Sequence, residues 1–289
     1  MHQIQNFYSA NYFGKEGEKI LEKLNNYFEE VIRGAPDIQV LPSNNPEKLY
    51  KKYNSLLKKK ITGSDFIDIL INDSNHLHHP GYIGHQCAAP NPVTALASLV
   101  GSLLNNGSAV YEMGPANVAM ERTVAHFFAR EYNFPEGAEG LFTSGGSLGN
   151  LTALLAARQN QTEYDIWEEG VRLDDQPAFM ISEASHYCIP RAVKIMGLGE
   201  KGIINIPVDN ENRIRTDLLE DIYQKSLDNG KRVIALTANA CSTSAGSYDN
   251  LEKIAAFCQK FNIWFHIDGA HGGAAILSEK YRHFLKGSE

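Results

Sequence analysis

A chain of 289 residues that is 43% hydrophobic and 21% charged can bury a large core and has ordinary globular composition. Its net charge of -7 argues against a nucleic-acid backbone or an anionic membrane as main partner, since no basic stripe is present to neutralise phosphates. No run approaches the roughly 18 apolar residues of a spanning helix, and Met1-His2-Gln3-Ile4-Gln5-Asn6 lacks a charged-then-apolar leader pattern. A soluble, cytoplasmic protein is expected.

Residues 1–74 read as a helical arm. Ile20, Leu21, Leu24, Phe28, Val31 and Ile32 recur at helical spacing between Glu16 and Arg33, and Gly34-Ala35-Pro36 stops the pattern. The polar segment Leu41-Pro42-Ser43-Asn44-Asn45-Pro46 leads into a lysine-rich helix over Glu47 to Lys60, whose lysines mark a solvated face. An arm that buries little by itself suits packing on a second subunit.

From Asn75 a stretch rich in His, Pro and Gly follows, including His79-Pro80-Gly81-Tyr82-Ile83-Gly84-His85-Gln86. It reads either as an ordered loop lining a site or as a plain connector into a helix from Pro92 to Leu104. His76, His78 and His79 would need a further carboxylate or thiolate to hold a metal, and no metal is expected. Cys87, Cys188, Cys241 and Cys258 form no Cys-x-x-Cys pair and read as free, mostly buried thiols.

Gly140-Leu141-Phe142 reads as a short strand, followed by the turn Thr143-Ser144-Gly145-Gly146-Ser147-Leu148-Gly149-Asn150 and the helix former Leu151-Thr152-Ala153-Leu154-Leu155. Such an order either places free backbone N–H groups at a helix start, where they hold an anion, or is a tight turn whose glycines serve only geometry. Neither the Walker lysine nor the dinucleotide glycine spacing is present. Regular alternation follows. Strands are predicted at Ala178–Ser182, Ile203–Pro207, Arg232–Thr237 and Ile263–Ile267, with helices after His186, over Thr216–Leu227 and over Asn250–Phe261. This implies an α/β fold, a mostly parallel sheet with helices on both faces. The last strand delivers Asp268 at its C-terminal end, either as a functional charge or as a turn or cap residue.

Four elements occur in order: Thr143 to Asn150; Ser185-His186-Tyr187; Ser242-Thr243-Ser244-Ala245-Gly246-Ser247-Tyr248-Asp249; and His266-Ile267-Asp268-Gly269-Ala270-His271-Gly272-Gly273. In these the chain resembles the group II pyridoxal-phosphate-dependent amino-acid decarboxylases, from about Asn75 onward. The stretch His79 to Gln86, with Tyr111-Glu112-Met113-Gly114-Pro115, is most similar to the diaminobutyrate decarboxylase branch. The resemblance implies the large domain of the aspartate-aminotransferase type (fold type I) over residues 75–289, incomplete at its C-terminus. It also implies pyridoxal phosphate as cofactor, an amino acid as substrate, with L-2,4-diaminobutyrate or an aromatic amino acid preferred, and a homodimer.

The same resemblance assigns roles. Gly146 and Ser147 hold the phosphate and Asn150 supports the cofactor. His186 stacks on the ring. Asp268, with Ala270 beside it, pairs with the ring nitrogen and makes the ring a better electron sink. Ser242 bonds near the ring, although Cys241 stands where Gly is usual. His85, Gln86 and His271 are candidates for the substrate pocket.

The family's Schiff-base lysine lies beyond the Asp, in an Asp-x-His-Lys context. The sequence ends at Gly287-Ser288-Glu289 ahead of it, and Lys280 and Lys286 read as surface residues. Either the 289 residues are part of a longer decarboxylase, or they form a catalytically inactive cofactor-binding or interaction protein. The intact cofactor motifs favour the first. A third reading is another enzyme of the fold, such as an aminotransferase or a cysteine desulfurase.

Overall fold

A computed structural model describes residues 8–42, 45–172 and 174–289. The leader region Met1–Asn6 and the Ser43-Asn44 step of the polar segment lie outside the described residues. The chain forms two compact units that part between Asn105 and Asn106.

The first unit is helical. Helix α1 (Ala10–Ile32) opens where the Ser9 hydroxyl accepts the Tyr12 N–H, earlier than the apolar period indicates, and ends before Gly34, whose φ of 66° no branched residue tolerates well. Helix α2 (Pro46–Leu56) has Asn45 as its cap and stops short of Lys60. Helix α3 (Gly63–Asp73), which periodicity did not reveal, is opened by a capping box in which Thr62 and Asp65 each accept the other's backbone N–H. An ion pair of Lys23 with Asp68 ties α1 to α3, and the Tyr27 hydroxyl meets His76 Nδ1 at 3.0 Å just beyond α3. Helix α4 (Pro92–Leu104) runs from the Asn91 cap to a left-handed Asn105 and buries none of its residues. The His78 ring bonds to the Pro90 carbonyl, and His79 Nδ1 accepts the Gly81 N–H, so both imidazoles serve the local loop.

In the second unit a 3-10 turn at Tyr111–Met113 precedes helix α5 (Pro115–Glu131), also unread from the sequence, with proline at its first position. Then come α6 (Gly146–Gln161), β1 (Pro177–Ser182), α7 (Cys188–Ile195), β2 (Ile203–Ile206), α8 (Leu219–Asp228), β3 (Arg232–Asn239), α9 (Leu251–Phe261) and β4 (Trp264–Asp268). The strands lie in the order β2-β1-β3-β4 and every pair is parallel, as the alternation implies. Strand alternation splits the core into two layers. Phe179 and Ile181 pack with Leu154, Ala157, Ile189 and Val193 of α6 and α7, whereas Ala178 and Met180 share the opposite layer with Leu219, Ile254 and Phe257 of α8 and α9. Each such large side chain contributes roughly 1.5–3 kcal/mol. These helices on both faces hold the strand ends in fixed register.

One expected strand does not form. Leu141 and Phe142 run as exposed coil, because the Phe142 N–H bonds to the Glu121 carboxylate of α5 (2.7 Å) and among the described residues no strand lies beside them. The thiols are all free, but only Cys188 and Cys258 are buried; Cys241 is half-buried and Cys87, on the turn-rich loop, is exposed. Lys280 and Lys286 are exposed, the latter paired with Glu252.

Candidate active site

The C-terminal ends of β1, β3 and β4 share one edge of the sheet, where parallel sheets hold their ligands. Asp268 closes β4 as register partner of Asn239 at the end of β3. Its carboxylate is buried yet bonded on both oxygens. Oδ1 accepts the Ala270 N–H at 3.2 Å and Oδ2 accepts Asn150 Nδ2 at 3.0 Å. Without such donors a carboxylate in this place would be expelled or neutralised.

Asn150 belongs to the start of α6 and is itself buried. Its Oδ1 accepts from His266 Nε2 at 2.8 Å, and its Nδ2 also reaches Cys188 Sγ at 3.3 Å. Helix α6 has no side-chain cap, and its ladder begins with Leu148 and Gly149 donating to the Gly145 carbonyl. The N–H groups of Gly146 and Ser147 are thus outside the helix ladder and available to an anion. A Cβ added at Gly146 would stand 2.9 Å from the Ala270 Cβ, so the helix start lies directly against the turn that follows Asp268.

His186 occupies the loop between β1 and α7, half-buried, with Nδ1 accepting the Cys188 N–H (3.3 Å) and its ring tilted against Tyr187. Cys188 therefore links His186 to Asn150. The neighbouring Ser185 hydroxyl is buried without a protein partner. Beyond the end of β3 Ser242 is buried, with its Oγ accepting the Ser247 N–H at 3.3 Å. The turn after β4 is pinned by the Tyr248 hydroxyl donating to Gly272 O and the Tyr132 hydroxyl donating to Gly273 O. Ala270 and His271 are exposed on that turn. His85 and Gln86 belong to the first unit, where both are exposed and hold left-handed backbones, φ 50° and 48°.

The residue that sequence reasoning missed is His266. Burial pushes its pKa down to about 4 against the opposing pull of Asp268, so the imidazole is neutral near pH 7. The signal was the strand period: His266 and Asp268 are two apart and share a face of β4. Asn150, read as a support for the cofactor, uses both ends of its amide on Asp268 and His266.

The family model described as "Pyridoxal-dependent decarboxylase conserved domain" matches residues 47–289. The chain belongs to this decarboxylase family. It is 32% identical over 247 residues to an aromatic-L-amino-acid decarboxylase of Bacillus atrophaeus, covering 81% of this chain and 50% of that one. It is 28% identical over 235 residues to an L-2,4-diaminobutyrate decarboxylase of Acinetobacter baumannii, covering 77% and 46%. In structure it matches the glutamate decarboxylase domain of a diaminobutyrate-pyruvate transaminase and L-2,4-diaminobutyrate decarboxylase from Vibrio parahaemolyticus, with TM-score 0.86 and 25% identity over 96% of this chain and 61% of that one. The fold is thus the decarboxylase large domain of fold type I, in part. The chain spans about half the length of the curated relatives it matches, and those decarboxylases are named for different amino acids.

Proposed function

We propose that this chain forms the cofactor-holding part of a pyridoxal-phosphate-dependent decarboxylase acting on an L-amino acid. The observation that carries the reading is the buried carboxylate of Asp268, bonded on both oxygens and set against the uncapped start of α6. A dianionic phosphate matches the free N–H groups of that helix start, and a protonated ring nitrogen matches the carboxylate. The fit is supported by the glycine contact between Gly146 and Ala270, which a side chain would obstruct.

In this reading the N–H groups of Gly146 and Ser147 and the Ser147 hydroxyl bind the phosphate, helped by the α6 dipole. Asp268 holds a proton at the ring nitrogen. His186 covers one ring face and excludes water, while Ser242 bonds near the ring. When bound, pyridoxal phosphate supplies an electron-accepting ring for the pair left as carbon dioxide departs. The charge of Asp268 is placed where it strengthens that acceptance.

L-2,4-diaminobutyrate or an aromatic amino acid is the proposed substrate, a choice supported by two relatives' names, with His271 of the second unit as a candidate to contact it. A cytoplasmic homodimer is part of the proposal. It draws support from α4, where Val93, Leu96, Val100 and Leu103 are all more than half exposed. Among the described residues no helix is long and apolar enough to cross a membrane.

The test is to supply the full-length protein from its native source with pyridoxal phosphate and a panel of L-amino acids, and to measure carbon dioxide and keto acid together. Carbon dioxide release that falls at least about tenfold in Asp268→Asn supports the reading. Keto acid without carbon dioxide assigns an aminotransferase instead, and bound cofactor without any product assigns a binding protein.

A further inference from the structure

We infer that His266 is a positioning residue for Asp268 and acts through Asn150: the imidazole fixes which way the Asn150 amide points, and so keeps an N–H rather than a carbonyl oxygen against the carboxylate. The inference rests on the functional reading above and adds to it the group that aligns its key charge.

Three hydrogen-bonding groups stand in line, His266 Nε2, the Asn150 amide and Asp268 Oδ2, joined at 2.8 and 3.0 Å. An asparagine amide has a donor end and an acceptor end of nearly equal shape, so its orientation is set by its neighbours. Asp268 as a carboxylate offers only acceptors. The opposite orientation would turn Asn150 Oδ1 onto it and leave Nδ2 facing the imidazole. With a proton on Nε2, His266 opposes that orientation from the other side, since donor would then meet donor. The chain therefore runs one way, Nε2–H to Oδ1 and Nδ2–H to Oδ2.

Burial makes the arrangement matter. Asn150 and Asp268 are each less than a tenth exposed, so water does not readily replace a lost partner. The two strand residues share one face of β4, and the amide approaches from α6, so sheet and helix both hold the line. A neutral imidazole orients the amide without bringing a second positive charge to Asp268. The full charge of the carboxylate is left for the cofactor's ring nitrogen.

The experiment uses pyridoxamine phosphate labelled with 15N in its ring. This probe has the phosphate and the ring nitrogen but no aldehyde, so it reports binding without a lysine. Wild type is expected to bind it with the ring nitrogen protonated. His266→Phe is expected to bind about tenfold more weakly, as for one lost buried hydrogen bond, and to shift the ring-nitrogen resonance toward the unprotonated form. His266→Gln, whose amide can still donate to Asn150 Oδ1, is expected to restore most of both. If Asp268→Asn alters affinity and resonance while His266→Phe matches wild type, the inference fails and the functional reading stands. A wild type that does not bind the probe, or binds it unprotonated, overturns the functional reading and this inference with it. Independently of any variant's folding, imidazole NMR of the unliganded wild type is expected to place the His266 proton on Nε2; a proton on Nδ1 alone overturns the inference.

Discussion

Gly146 and Ala270 touch so closely that the Cβ which Gly146 lacks would stand 2.9 Å from the Ala270 methyl carbon. They are the first residue of α6 and the second residue after Asp268, so this contact sets the uncapped helix start beside the carboxylate. Gly146→Ala forces the two apart. The expected result is a loss of roughly 1–3 kcal/mol in stability from overpacking, and pyridoxal phosphate affinity at least about tenfold weaker because the N–H groups move. A fluorescence titration beside a thermal melt measures both. Unchanged affinity would show that the helix start does not seat the phosphate.

Acid should weaken the second unit through His266. Its folded pKa of about 4 lies below the ordinary value of 6.5 because burial disfavours the cation. Between those values the unfolded chain binds more protons than the folded one. The stabilisation is therefore full above about pH 6.5 and is lost as pH falls toward 4, by on the order of 3 kcal/mol in total. His76 in the first unit shifts in the same direction, through burial and the nearby His79, so the comparison must be made against a variant. Urea unfolding of wild type and His266→Gln from pH 4 to 7 should show a shallower slope in the variant. Parallel slopes would mean that His266 is protonated as readily folded as unfolded.

The parallel sheet was legible because its strands are near-continuous apolar runs with helices between them, and Asp268 because it ends such a run abruptly. The Leu141-Phe142 strand was misread since strand formation depends on a distant partner, and here Glu121 takes the Phe142 N–H instead. Helices α3 and α5 carry local start signals, Thr62 with Asp65 and Pro115, that were left unread in the sequence. The bond from His266 to Asn150 joins residues 116 apart in sequence. Nothing in spacing announces such a contact; only the folded sheet and helix bring the pair together.

Thiol chemistry should separate three of the four cysteines. Burial pushes the Cys258 thiol up to about 12, which removes the nucleophilic thiolate at neutral pH, and Cys188 is buried between α6 and α7. Cys87 is exposed. Brief iodoacetamide treatment of the native chain followed by peptide mass mapping is expected to label Cys87 first, with Cys188 and Cys258 labelled only after denaturation. Early modification of Cys258 would contradict the packing of α9 on the sheet.

Asp249 ties the end of β3 to the Ile214 backbone, and its removal should be felt there. Its buried carboxylate accepts the Ile214 N–H and the Asn239 N–H, each at 2.7 Å, and the Asn239 side chain at 3.2 Å. Burial raises its pKa in spite of these donors, so the position uses the carboxylate as an acceptor at an electrostatic disadvantage. Asp249→Asn turns one acceptor into a donor facing a backbone N–H, and leaves that group without a partner. The expected loss is about 2–4 kcal/mol in urea unfolding. Asn239 is the register partner of Asp268, so the same change should loosen the end of β3 beside the carboxylate and weaken pyridoxal phosphate binding as well. Lost stability with unaltered cofactor affinity would show that the Asp249 bonds support the fold without reaching the site.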